Sequence, residues 1–242
     1  MVGVRGKTNW TAVAFYYVVA CAVSFPFFWW RDIHPESWRS WHFPNFLKTS
    51  TIMWGPGIAA LISLYVFRKS HRRTITVAGS SVWRSAAFYG LPILLLATAG
   101  VESPDGSVNH ALPLLIGVVG LFNILGEELG WRGFLQDALR PLPMVARYVL
   151  IGVMWEFWHF TNRTAHGSPK EIALRLLIAY PVVIILSFII SEATERSKSL
   201  LVAVTLHAWL DLLFEFSGKR TYVVFVISIL LWTFLLTKWR KN

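Results

Sequence analysis

Ionisable side chains stand inside stretches that are otherwise apolar, at spacings that belong to helix faces. In Gly126-Glu127-Glu128-Leu129-Gly130-Trp131-Arg132-Gly133-Phe134, Glu128 and Arg132 are at i and i+4. That spacing brings a carboxylate and a guanidinium together on one helical face. Glu127 points about 100° away from it. One carboxylate is thus assigned to an ion pair, and the other is left without a cation of its own. A carboxylate withdrawn from water in that way is suited to act as a general base near neutrality. The same three residues would also be ordinary at a helix end on the cytoplasmic surface.

His207 and Asp211 repeat the i, i+4 spacing within the apolar run Leu200 to Phe216. At a helical rise of 1.5 Å per residue they lie about 10 Å and about 16 Å from its start, and both are expected to be buried. His159 lies about 16 Å beyond Tyr148 by the same count, with Glu156 three residues before it. Glu156 and Glu215 either line a polar cavity or pair with loop cations. A charge at mid-membrane costs between about 2.5 and well over 10 kcal/mol, so such residues face a protected, functional interior.

These groups need elements to hold them, and the composition says which. Of 242 residues, 55% are hydrophobic and 15% charged, against about 45 to 50% and about 25% in soluble domains. The chain has too little polar surface to cover itself in water. Its 37 aromatic residues, 13 Trp, 7 Tyr and 17 Phe, exclude disorder. The net charge of +10 does not mark nucleic acid, because the bases lie between apolar runs rather than on one polar face. Cys21, the single cysteine, excludes an internal disulfide or a cysteine metal site.

Eight runs approach the roughly 20 apolar residues of a bilayer-spanning helix. They are Trp10 to Trp30, Thr51 to Phe67, Val82 to Gly100, Ala111 to about Gly126, Tyr148 to Phe160, Ile172 to Ile190, Leu200 to Phe216 and Tyr222 to Leu236. The expected architecture is an all-α polytopic membrane helix bundle of about eight spans, forming one integral-membrane domain over residues 1–242. The fourth run must continue through Phe134 to Ala138 if Glu127 is to lie deep. Pro26, Pro56, Pro92, Pro113 and Pro181 fall inside runs, which membrane helices tolerate when neighbours satisfy the freed carbonyls. The first run is too long for a signal peptide's apolar region.

Arg68, Lys69, Arg72 and Arg73 between spans two and three, with no acid beside them, put that loop in the cytoplasm. Alternation then places both termini there, with 15 Lys and Arg inside and 8 outside. His34, His42, His71, His110 and His166 fall in loops and are expected at the surface. Trp29, Trp30, Trp38 and Trp41 suit headgroup depth.

Taken together, the stretches resemble the CPBP family of intramembrane proteases, the CAAX-protease or Abi family. Its two glutamates, three residues and arginine match Glu127, Glu128 and Arg132. In its Phe-x-x-x-His motif Trp155 stands for the Phe and His159 matches, and in its His-x-x-x-Asn/Asp motif His207 and Asp211 match. The likeness covers roughly residues 110–217. It implies a CAAX-type endopeptidase in which Glu127 activates water and His159 and His207 assist. Asp211 takes the place where an Asn would help hold an oxyanion, yet an ionised Asp accepts only. It must be protonated, orient His207, or join His159 and His207 around a divalent metal such as zinc; the resemblance leaves metal and metal-free routes open. The expected partners are a lipid bilayer and a peptide or lipidated membrane protein, and the expected location is the cell membrane. The rival readings are a proton-coupled transporter, against which no inverted repeat is visible, and a non-catalytic membrane or immunity factor. A di-iron oxidase would need a second Glu-x-x-His motif.

Overall fold

The computed structural model describes residues 7–40, 45–102, 107–215 and 218–239. Trp41 and His42 lie outside the described residues, as does the side chain of Glu215. The helices are α1 (Trp10–Ile33), α2 (Pro35–Ser40), α3 (Asn45–Met53), α4 (Gly55–Val66), α5 (Val82–Ala99) and α6 (Leu112–Glu128). A π-helical turn, Leu129–Leu135, leads into α7 (Gln136–Ala138). There follow α8 (Met144–Trp158), α9 (Phe160–Thr164), α10 (Pro169–Ser197), α11 (Leu200–Glu215) and α12 (Lys219–Lys238). Among the described residues, one small sheet pairs β1 (Val101–Glu102) with β2 (Val108–Asn109), Val101 opposite Asn109.

All eight apolar runs contain helix, and the chain is an all-α membrane bundle. Among the described residues, five helical stretches are each long and apolar enough to cross a bilayer: α1, α5, Leu112–Ala138, α10 and α12. The second run is bent by 46° between Leu47–Met53 and Gly55–Val66, where Gly55-Pro56-Gly57 restarts the helix. The fifth and seventh runs are helices of 15 and 16 residues, shorter than the typical bilayer core demands. The fourth continues as expected, Leu112–Ala138 passing through the π-turn. Only 11% of the most apolar window of α10 is buried, and Leu177 and Val118 are each 71% exposed, a surface that suits lipid.

The chain clusters into two compact units: Met1–Thr74 with Gly126–Ser191, and Ile75–Leu125 with Glu192–Asn242. In the first, α1 packs on α4 and α4 on the π-turn. Small residues permit these approaches. A Cβ on Gly57 would stand 2.7 Å from the Gly126 carbonyl oxygen, and one on Gly126 2.8 Å from that of Met53. Ser24 donates to the Ile52 carbonyl across 2.8 Å, using a polar group to tie α1 to α3. Asp137 clasps the segment after α4, accepting from the Thr74 backbone N–H at 2.6 Å, the Thr74 hydroxyl at 2.6 Å and Arg140 Nη2 at 2.7 Å.

The second unit has a core of Phe88, Leu96, Val202, Trp209, Val224, Trp232 and neighbours. The Trp232 indole donates to the Phe88 carbonyl at 3.0 Å, so its one polar atom is satisfied inside that core. Lys198, at φ 58°, ends α10 and turns the chain into α11.

His71 corrects the expectation of a surface residue. Its ring stacks on Phe134, with centroids 4.6 Å apart and planes at 18°. Burial pushes its pKa below the ordinary histidine value; Asp137 opposes that shift and Arg73 adds to it. The folded state therefore favours the neutral ring. Nothing is lost while both states are neutral, but as pH falls below about 6.5 the unfolded chain takes up the proton first and stability declines until the folded pKa is passed. We expect the thermal midpoint in detergent to fall between about pH 7.5 and about pH 5.5, and His71→Phe, which keeps the stack, to reduce that slope. An unchanged slope in His71→Phe would show that other groups carry it.

Candidate active site

The site residues of the first unit gather where α6 ends. Glu127 and Glu128 are the last residues of α6, followed by the π-turn, in which the Gln136 N–H bonds back five residues to the Trp131 carbonyl. Such wide turns are uncommon and concentrate at functional sites. Within it, Arg132 Nη1 donates to Glu128 Oε1 at 2.9 Å, with both side chains 0% exposed. The pair read from the i, i+4 spacing is formed.

Glu127 is 2% exposed. The sequence left this carboxylate with no cation of its own; in the structure its Oε2 accepts a hydrogen bond from Trp155 Nε1 at 3.0 Å. The Trp155 ring also lies under Arg132, whose guanidinium carbon is 4.6 Å from the ring centroid. Reading Trp155 as a bulk substitute for Phe missed both contacts. The only sequence signal was the departure itself, since an indole brings an N–H that a phenyl ring lacks.

His159 stands at a break between two helices rather than inside one. It caps the C-terminus of α8 and begins α9, and is partly buried. Its ring meets Trp158 edge to face, with centroids 4.7 Å apart. Its Nδ1 is 3.0 Å from the Trp155 carbonyl oxygen. A carbonyl can only accept, so Nδ1 carries the proton and Nε2 of the neutral ring keeps its lone pair. Glu156 is drawn off into an ion pair with Arg163 at 2.9 Å, the second of the two roles open to it.

Several buried donors around the pair have no hydrogen-bond partner among the described residues: Arg132 Nε and Nη2, Tyr16 Oη, Trp131 Nε1 and Trp158 Nε1. Tyr16 and Trp131 meet edge to face at 5.9 Å, and Trp131 and Trp158 at 6.0 Å. Gly130 keeps this packing open, because a Cβ there would stand 2.5 Å from both the Tyr16 hydroxyl and Pro56 Cβ.

In the second unit, His207 is buried on α11 and Asp211 is not. The His207 Nε2 to Asp211 Oδ2 distance is 4.0 Å, and the Asp211 side chain is 63% exposed. The expectation that both are buried is corrected for Asp211. It lies near the C-terminal end of α11, one turn beyond His207. At 4.0 Å the contact is longer than a hydrogen bond and counts as an ion pair only when His207 is protonated.

His159, His207 and Asp211, the residues a metal would use, are divided between the units. Within neither unit do three His, Cys, Asp or Glu side chains group as a metal centre among the described residues. Neither unit by itself supplies a three-ligand shell among the described residues.

Residues 109–213 match the family model for Rce1-like, type II CAAX prenyl endopeptidase. No curated protein and no solved structure matches the chain. The matched segment contains Glu127, Glu128, Arg132, His159, His207 and Asp211, all three motifs in order. The chain is therefore a multi-pass membrane protein whose residues 109–213 are similar to a protease family, the Rce1-like type II CAAX prenyl endopeptidases.

Proposed function

We propose that this protein is an intramembrane endopeptidase of the cell membrane that hydrolyses a peptide bond in a prenylated, membrane-associated substrate, with Glu127 as the base that activates water. The observation that carries this reading is the division of labour between adjacent carboxylates. Glu128 is committed to Arg132, while Glu127, equally withdrawn from water, accepts from a neutral indole. Glu127 takes a proton from water and the resulting hydroxide attacks the scissile carbonyl carbon. The tetrahedral intermediate then collapses, the C–N bond breaks, and Glu127 returns the proton to the leaving amine.

An oxyanion needs donors, and an ionised Asp211 cannot be one. Arg132 Nη2 and the buried indole N–H groups of Trp131 and Trp158 are of the chemical type required. His159 Nε2, with its lone pair, can accept a proton during the same steps. By the family resemblance His207 serves the reaction too. Water reaches the site from the cytoplasmic side in this reading, where the basic loop lies.

The test uses the purified full-length protein in proteoliposomes with a farnesylated CAAX peptide and its unprenylated counterpart, read by mass spectrometry. The expected result is a shortened product from the farnesylated peptide. Gradient-driven uptake of a solute with neither peptide cleaved would overturn the proposal in favour of a carrier.

A further inference from the structure

We propose that Trp155 is a positioning residue that sets both proton-handling groups of the site at once. This rests on the protease reading above. Three contacts of one residue carry it. The indole Nε1 donates to Glu127 Oε2 at 3.0 Å, the ring face lies 4.6 Å from the Arg132 guanidinium carbon, and the backbone carbonyl accepts from His159 Nδ1 at 3.0 Å.

The chemistry of each contact restricts a different freedom. An indole N–H is donor-only, so it can face only the acceptor side of Glu127, and the bond fixes the plane of that carboxylate. The guanidinium on the ring face holds the indole against rotation, since a cation over the aromatic face is favoured by the ring quadrupole. Arg132 is itself held by Glu128. The orientation of Glu127 is thereby tied, through Trp155 and Arg132, to the neighbouring carboxylate. At 3% exposure Trp155 competes little with water for these bonds. The carbonyl contact meanwhile selects the His159 tautomer whose Nε2 can take a proton.

A Phe in this place keeps an aromatic face for Arg132 and the backbone carbonyl for His159, and cannot make the bond to Glu127. Trp155→Phe therefore isolates that bond. We expect kcat for the farnesylated peptide to fall about 10- to 100-fold, the range for losing a hydrogen bond to a charged group, with KM unchanged within about twofold and the thermal midpoint retained. A lost fold would lower the amount of active protein and the midpoint together, which active-site titration separates from a lower kcat.

A second measurement does not depend on activity. With 15N-indole tryptophan, the Trp155 N–H resonance, identified by its loss in Trp155→Phe, should move in Glu127→Gln more than any other indole resonance. An unmoved resonance overturns the contact. A moved resonance with unchanged kcat in Trp155→Phe overturns the positioning role. A wild-type protein that cleaves neither peptide sinks the protease reading and the role with it, while the resonance still reports whether the bond exists.

Discussion

Glu127→Gln should lose about 10³-fold or more of its cleavage rate while keeping its fold, the largest functional effect expected from any single substitution in this chain. Gln is nearly isosteric with Glu, and its amide oxygen can still accept from the Trp155 indole, so the packing around a residue that is 2% exposed need not change. What disappears is the group that can take a proton from water and return it to the leaving amine. General base catalysis contributes about 10² to 10⁴-fold, and here the same group also acts as the acid. Replacing a buried carboxylate by a neutral amide also lowers the cost of burial. The thermal midpoint should accordingly hold or rise, a combination that separates a catalytic loss from a structural one. Cleavage of the farnesylated peptide and thermal denaturation, measured on the same preparation, check both halves. Retention of more than about a tenth of the activity would remove Glu127 from the role of base.

Local relations were legible in the sequence and distant ones were not. The Glu128–Arg132 pair depends on four intervening peptide units, so its spacing announced it. Apolar runs announced α1, α5, α10 and α12 because lipid demands length and apolarity from each helix separately. The π-turn was hidden, since nothing in the composition of Leu129–Leu135 marks the hydrogen bond from Gln136 to the carbonyl five residues back, and the packing of that turn on α4 is a long-range contact. Trp155 was hidden for a related reason. Its bond to Glu127 joins residues 28 apart in sequence, and nothing local distinguishes a donating indole from a space-filling one. The opposite error occurred at Asp211, where helical spacing placed it one turn from His207 but carried no information on what covers that turn. His71 failed in the same way, because a loop histidine meets Phe134 only through the fold of the intervening chain.

Arg132→Met should be the most destabilising of the site substitutions, by about 3 to 5 kcal/mol, because it strands the Glu128 carboxylate in an interior that has excluded water from both partners. The stabilising worth of the pair is a separate quantity. Desolvating two ions offsets much of their attraction, and an apolar pair of similar volume is often neutral or better. Glu128→Leu combined with Arg132→Met should therefore recover most of the stability lost in the single variant. It should not recover cleavage, because Trp155 loses the cation on its face and the proposed oxyanion donor is gone. Glu128→Leu alone should behave differently again. Glu127 is the second carboxylate whose charge acts on Arg132, so the stranded guanidinium has an alternative partner one residue away. Pairing with it would limit the loss of stability while occupying the proposed base, giving a protein more stable than Arg132→Met and still inactive. Thermal denaturation in detergent across the three variants, with peptide cleavage alongside, reads both orders. If the double variant is as unstable as Arg132→Met, the guanidinium contributes through its contact with Trp155 rather than by neutralising Glu128.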